Sequence, residues 1–250
     1  MLIKVINPNT TTSMTATIGE CARAVAGPGT LVEAVSPTMG PASIESHVDE
    51  ALSVPGILEQ IALGEAQGVD GYVIACFGDP GMDAAREAAT GPVVGIAEAA
   101  MHAASFLGRG FSVVTTLGRT TGRAWDLADR YGMARPCRGV HACEIPVLEL
   151  ETDPDARKII TEACRDALES DGSDAIVLGC AGMAELCEHI SSEIGAPVVD
   201  GVAAATLFVQ SLVTMGLLTG KRGEFAPPPS KAYSGLLSGF GDAPTPLVRE

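Results

Sequence analysis

GVDGYVIACFG, residues Gly68–Gly78, is followed 104 residues later by the similar stretch GSDAIVLGCAG, residues Gly172–Gly182. Each stretch runs through a short apolar segment into a cysteine, Cys76 or Cys180, and then reaches a glycine. Short apolar runs bounded by turn residues are typical of buried parallel strands. The repeat therefore predicts two equivalent strands, each ending at a thiol.

The rest of the chain alternates between short apolar runs and helical patterns, as βαβ units do. In the first half we predict strands at 2–6, 30–36, 71–75 and 93–94, with helices at 12–25, 46–65 and 82–89 and one starting at 97. The pattern then restarts, with strands at 111–115, 140–145, 175–179 and 197–199 and helices at 121–131, 154–170, 184–194 and 202–215. Two local features are also predicted: Pro55 breaks or kinks its helix, and Asp153 caps the helix that follows it.

These elements predict an α/β fold made of two pseudo-symmetric, Rossmann-like domains, each with a parallel sheet. Open α/β sheets bind ligands at the carboxyl ends of their strands, so we expect the active site in the cleft between the domains. We place the first lobe at residues 1–97 plus 206–226 and the second at 98–205. A Pro/Gly/Ser-rich tail is expected at 227–250.

The composition narrows the possible partners. The formal net charge is −15, which disfavours nucleic acids and anionic membranes because both are bound through clustered Lys and Arg. No apolar run reaches the roughly 20 residues of a membrane helix, and the N-terminus begins a strand directly rather than a secretory signal. We therefore expect a cytoplasmic protein that acts on a small molecule.

Seven scattered cysteines are expected to be free thiols in a reducing compartment, and neither a CxxC pair nor a histidine cluster indicates a metal site. A lone cysteine after a strand is more often a small core residue than a functional one. We keep that core interpretation for Cys21, Cys164 and Cys187, which lie on predicted helices. For Cys137 and Cys143 the question stays open, with a structural role favoured.

Cys76 and Cys180 differ from the others because each stands between a buried strand and a glycine turn. Thiols on both sides of a cleft suit the removal of a proton from one face of a carbon and its return to the other face. A free thiol has a pKa of about 8.5, so only a few per cent is thiolate at neutral pH. We expect the backbone N–H groups of the following turns to favour the thiolate.

An enolate formed by proton removal needs fixed hydrogen-bond donors for its oxygen. We expect these from the backbone N–H groups of the two turns and from the side chains of Asn9, Ser43, Thr115 and Thr116. Asn9 is equally suited to cap the next helix. Asp79 is expected to cap the helix that follows it. A solvated face is the simpler interpretation for Glu45, His47 and Asp49.

Five motifs carry a resemblance to a known family: INPNT (6–10), GPASIE (40–45), ACFGDPG (75–81), GIAEAAMH (95–102) and LGCAGM (178–183). They resemble the hydantoin racemases, which include the allantoin racemases and belong to the aspartate/glutamate racemase superfamily. The resemblance extends to about Phe240. ACFGDPG and LGCAGM at this spacing are specific, whereas INPNT alone is a weak signal.

The resemblance implies two pseudo-symmetric α/β domains with the active site between them, no cofactor (no PLP, metal or nucleotide), and a homo-oligomer. It implies that the catalytic cysteines are Cys76 and Cys180. It also implies a set of ligand contacts: Asn9, Ser43, Ile44, Phe77, Gly78, Thr115, Thr116, Ala181 and Gly182.

The expected substrate is a 5-substituted hydantoin, allantoin being one, whose stereocentre lies between a ring nitrogen and a carbonyl. Its neutral imide edges suit backbone donors, and the five motifs contain no Arg, which argues against a free dicarboxylic amino acid. Two alternatives remain: an aspartate/glutamate-type racemase, and a non-catalytic two-lobed binder of small molecules. A redox role is disfavoured because a substrate between the thiols keeps their Cα atoms beyond disulfide range, about 7 Å.

Overall fold

Two four-stranded parallel sheets form the centre of the protein. The computed structural model describes residues 1–242, so the end of the predicted tail, 243–250, lies outside the described residues. In the first half the strands are β1 Leu2–Ile6, β2 Leu31–Val35, β3 Gly71–Ile74 and β4 Val93–Gly95, and the helices are α1 Thr12–Val25, α2 His47–Gln67, α3 Met82–Ala88 and α4 Ile96–Ser105.

The second half repeats this order. Its strands are β5 Phe111–Thr115, β6 Cys137–Ala142, β7 Ala175–Gly179 and β8 Val198–Val199, and its helices are α5 Thr121–Arg130, α6 Ala156–Asp171, α7 Cys187–Ile194 and α8 Gly201–Thr214. The sheet orders, β2-β1-β3-β4 and β6-β5-β7-β8, are equivalent, and every pairing is parallel. The predicted α/β fold of two similar parallel halves is confirmed.

Besides the cysteines, the two similar stretches at 68–78 and 172–182 share a glycine and an aspartate that have structural roles. Gly68 and Gly172 end α2 and α6 in left-handed conformations, with φ of 75° and 62°, which glycine adopts without strain. The carboxylate of Asp70 accepts the N–H of Leu2 at 2.8 Å, and that of Asp174 accepts the N–H of Gly110 at 3.1 Å. The repeated glycine and aspartate thus place β3 and β7 beside β1 and β5.

The last helix of each half packs on the sheet of the other half. Helix α4 follows β4 but lies against β7 and β5, while α8 follows β8 but lies against β3, β4 and β1. The two helices also pack against each other. Strands β3 and β7 are buried at every residue because helices cover both faces, which explains their continuous apolar runs.

The structure corrects several local predictions. Pro55 does not break α2, which runs uninterrupted from His47 to Gln67; the carbonyl that loses its helical partner belongs to Ala51, an exposed residue. The predicted strand 140–145 lies at Cys137–Ala142, since Glu144 takes a φ of 56° and ends the extended chain. Asp153 is not the cap of α6, which begins at Ala156.

The predicted helix 184–194 is in fact two elements, a 3₁₀ helix at Ala181–Leu186 followed by α7. Across residues 1–242 we find no helix with the length and apolar character needed to span a membrane.

Candidate active site

A cleft with a cavity volume of about 170 Å³ lies at the carboxyl ends of both sheets. Both repeat cysteines line it: Cys180 directly follows β7, and Cys76 follows β3 after one intervening residue. Of the residues expected to contact a ligand, seven lie on its wall: Asn9, Ile44, Phe77, Gly78, Thr115, Thr116 and Ala181. The two other expected contacts, Ser43 and Gly182, are not part of the wall.

Each thiol is surrounded by protein yet partly accessible from the cleft. Burial raises the pKa of Cys76 from 9.0 to about 12, and that of Cys180 to about 11. The backbone N–H groups of Gly78 and Gly182 act in the opposite direction but are outweighed. The turn N–H groups thus favour the thiolate, as expected, but they do not make it the resting form, because loss of hydration at a buried sulfur exceeds the effect of one N–H donor.

Asn9 both caps a helix and lines the cleft. Its Oδ1 accepts the N–H of Thr11, at the start of α1, and the amide of Asn7, each at 2.9 Å. Its Nδ2 lies 3.2 Å from the sulfur of Met14, another residue of the wall. Because the oxygen is already engaged, Asn9 can offer a ligand its N–H donors.

Thr115 is held in place by its neighbours in the second half. Its hydroxyl donates to the carbonyl of Gly179 and lies 3.2 Å from the hydroxyl of Thr120. Ser43 is likewise engaged, since its hydroxyl donates to Glu45 at 2.9 Å. Gly182 lies beside Cys180, since a Cβ built on it would lie 3.7 Å from that sulfur.

Several residues of the wall were missed by the sequence interpretation: Glu45, Ser46, His47, Glu50, Arg119, Thr120, Arg123 and Val147. Glu45 is not part of a solvated face, because its Oε1 accepts the N–H of Val147 from the other half at 2.8 Å. The sequence signal for the residues at 45–50 was the acid-rich run itself. A helix start rich in acids can face either solvent or a cleft, so the run did not decide between the two.

Two of the missed residues are arginines, so the absence of Arg from the motifs does not mean an arginine-free site. The guanidinium of Arg123 donates to the carbonyl of Gly78 at 2.7 and 3.2 Å. It also lies 3.0 Å from Oε1 of Glu50, which balances its charge. Arg119 is exposed at the rim of the cleft.

Asp79 caps a different helix from the one predicted. Its carboxylate accepts the N–H groups of Ala97 and Glu98, in the first turn of α4, at 3.1 and 2.9 Å. Helix α3, which follows it in sequence, begins instead after Gly81. Within residues 1–242, no three His, Cys, Asp or Glu side chains are grouped as metal ligands would be.

The arrangement of two thiols at equivalent strand ends can be compared with known proteins. Residues 3–209 match the family described as Asp/Glu/Hydantoin racemase. The chain belongs to this racemase family. A hydantoin racemase of Rhizobium meliloti is 50% identical over 94% of this chain and 98% of its own length, and one of Pseudomonas sp. (strain NS671) is 48% identical over 96% and 97%.

A solved racemase structure gives the same result for the fold. The allantoin racemase from Klebsiella pneumoniae superposes with a TM-score of 0.94 and 52% identity, covering 97% of this chain and 99% of that one. The resemblance inferred from the motifs is therefore confirmed, and the protein is an isomerase of the racemase class.

Proposed function

We propose that the protein interconverts the D and L forms of 5-substituted hydantoins, allantoin among them, by proton transfer at C5 between Cys76 and Cys180. The observation that carries this proposal is the placement of two thiols at matching strand ends on the wall of one cleft. No cofactor is part of the proposed reaction. The relatives named as hydantoin and allantoin racemases support this substrate class.

In the proposed reaction one cysteine, as thiolate, removes the C5 proton, and the other, as thiol, donates a proton to the opposite face. The two roles exchange when the other enantiomer is bound. A thiol pKa near 11 makes ionisation at pH 7 cost about 5 kcal/mol, but it gives a base strong enough for a carbon acid. In this proposal the backbone N–H groups of the two turns stabilise the developing enolate oxygen.

The charges of the wall favour a neutral ring over a dicarboxylate. Arg123 is balanced by Glu50, and the two other charged groups of the wall, Glu45 and Arg119, are opposite in sign. A free aspartate or glutamate would bring two carboxylates to a wall that has no excess of positive charge to balance them. The amino-acid racemase alternative is disfavoured for this reason.

Chiral chromatography of allantoin and of alkyl and aryl hydantoins, together with C5 proton exchange in heavy water, tests the proposal. Cys76→Ser and Cys180→Ser should each abolish racemisation, while either can retain exchange on one enantiomer. Cys164→Ala, a change in the core of the second half, is the matched control and should retain activity. Unchanged racemisation in either serine variant would refute the two-thiol mechanism, and binding without turnover would favour the non-catalytic alternative.

We also propose the lobe division 1–97 plus 206–226 and 98–205, a homo-oligomer, and a cytoplasmic location without nucleic acid or membrane partners. The exchanged helices α4 and α8 support the division, because each covers the sheet of the opposite half. The net charge of −15 supports the partner assignment. The apolar Phe106 and Leu218, exposed by 78% and 63%, support self-association, which light scattering would test.

A further inference from the structure

We propose that Asp79 is a positioning residue for Cys76. Its carboxylate holds the turn Cys76–Asp79, called the catalytic turn below, against α4 and, through Tyr131, against the opposite half. This inference rests on the proposed two-thiol function. Asp79 is three residues after Cys76, and its backbone N–H donates to the Cys76 carbonyl at 3.0 Å, which closes the turn. Gly78, whose N–H lowers the pKa of the Cys76 thiol, lies inside this turn, and a Cβ built on it would lie 3.8 Å from the Cys76 sulfur. The position of Asp79 therefore determines where that N–H points.

The turn is held in a conformation that it would not keep without outside contacts. Asp79 has a φ of 44°, in the left-handed region that L residues rarely adopt, and is only 2% exposed. Its carboxylate accepts three hydrogen bonds, from the N–H groups of Ala97 and Glu98 and from the hydroxyl of Tyr131 at 2.8 Å. Tyr131 directly follows α5, so the third bond crosses between the halves.

The repeat shows that this contact is more than a helix cap. Helix α8 is capped by its own residue, Asp200, which accepts the N–H groups of Val202 and Ala203 at 2.8 and 3.0 Å. The equivalent residue before α4 is Gly95, and a Cβ there would lie 2.2 Å from the Asp79 carboxyl carbon. Helix α4 therefore leaves room for a carboxylate that comes from the catalytic turn.

The turn after Cys180 is held differently. Met183 stands where Asp79 stands in the repeat, and the chain beside it packs on Met14 of α1, whose methyl group would lie 3.7 Å from a Cβ at Gly182. Polar contacts fix one thiol and apolar packing fixes the other. Loss of the Asp79 contacts should therefore disturb Cys76 and spare Cys180.

The contact depends on the ionisation of Asp79. Burial raises the pKa of Asp79 to about 6, against the opposing effect of its three hydrogen bonds. Glu98 faces it as a further negative group, and Arg86 pairs with Glu98 at 2.5 Å. Protonation removes an acceptor from the three-bond set, so the contact should weaken below about pH 6.

Two variants leave Asp79 itself unchanged and disturb only the surroundings of its carboxylate. Tyr131→Phe removes the bond to the other half, and Gly95→Ala displaces the carboxylate. Alkylation by iodoacetamide at pH 9, followed by mass spectrometry, should show Cys76 reacting about 3- to 10-fold more slowly in each, with Cys180 within 2-fold of wild type. Asp200→Asn, which weakens the equivalent cap of α8, is the matched control and should leave both rates within 2-fold.

The double variant Asp79→Gly/Gly95→Asp separates positioning from helix capping, because it gives α4 a local cap like that of α8. It should restore the thermal stability that Asp79→Gly loses, while racemisation stays at least 10-fold below wild type. Recovery of racemisation would reduce Asp79 to a helix cap and overturn the proposal. Equal effects on both cysteines, or none, in the Tyr131 and Gly95 variants would also overturn it. Because alkylation needs no substrate, its rates test this inference even if the serine variants refute the racemase mechanism.

Discussion

The guanidinium of Arg123, on α5 of the second half, donates two hydrogen bonds to the carbonyl of Gly78, in the turn that follows Cys76 in the first half. The same group forms an ion pair with Glu50 on α2. One side chain thus joins a helix and a turn of the first half to the second half at the edge of the cleft. Its charge is balanced within the protein by Glu50.

Arg123→Lys should lower kcat/KM about 10- to 100-fold, because lysine cannot donate two parallel bonds to one carbonyl while pairing with Glu50. Hydrogen bonds to charged groups contribute about 1.5–3 kcal/mol, which corresponds to this loss. Racemisation kinetics give the measurement. Arg130→Lys, on the same helix and in an exposed ion pair with Asp83, is the control and should stay within 2-fold. Equal losses in both variants would contradict the assignment.

Glu45→Ala should raise KM about 5- to 30-fold, since the N–H of Val147 loses its acceptor across the mouth of the cleft. Glu45→Gln retains an oxygen at the same place and should stay within about 3-fold of wild type. Initial rates over a range of substrate concentrations separate KM from kcat. If Gln and Ala behave alike, the carboxylate charge rather than the contact with Val147 is what matters.

Alkylation of Cys76 and Cys180 should be slow at pH 7 and rise about tenfold per pH unit up to at least pH 10. Their pKa values, about 12 and 11, leave a thiolate fraction at neutral pH at least 100-fold below that of an ordinary thiol. Peptide-resolved mass spectrometry after timed iodoacetamide treatment measures both sites, with the protein unfolded in urea as the reference. A plateau near pH 8.5 in the folded protein would contradict these raised values.

Asp171→Asn should lower the free energy of unfolding at pH 7 by about 1–3 kcal/mol. Burial acts to raise the pKa of Asp171, but hydrogen bonds from Ser112 and His141 outweigh it and leave the pKa below 3.8. A carboxylate with a lowered pKa stabilises the fold above its unfolded pKa and loses that contribution as the pH falls through its folded pKa. Urea unfolding at pH 7 and near pH 3 should therefore show the difference shrinking with acid.

The control for this stability effect lies on the same helix. Asp166→Asn changes an exposed residue of α6 and should alter the unfolding free energy by less than about 0.5 kcal/mol at either pH. A pH-independent loss in Asp171→Asn would mean that packing, and not ionisation, accounts for its contribution.

The repeat around Cys76 and Cys180 made the sheets predictable, because strand, glycine turn and thiol are all encoded within eleven residues. Central strands such as β3 were located closely since continuous burial leaves a continuous apolar run. The strand β6 was displaced because it lies at a sheet edge, where burial is partial and the pattern is weak.

The cleft was predictable to the extent that its residues follow strands. Thr115 ends β5 and Asn9 lies in the loop three residues beyond β1, so the topology alone brought them to one edge. Arg123 and Glu50 could not be placed from the sequence, since they lie on helices and meet only when the two halves assemble. The helix that Asp79 caps was also missed, because local sequence rules assign a capping residue to the helix that follows it in the chain.

The crossing of α4 and α8 onto opposite sheets has a consequence for folding. A chain divided after Ser105 would leave each sheet without a helix that covers it, so neither fragment could bury its apolar face alone. Folding is then a single cooperative event for the whole chain, and the gap between the thiols becomes fixed in that same event.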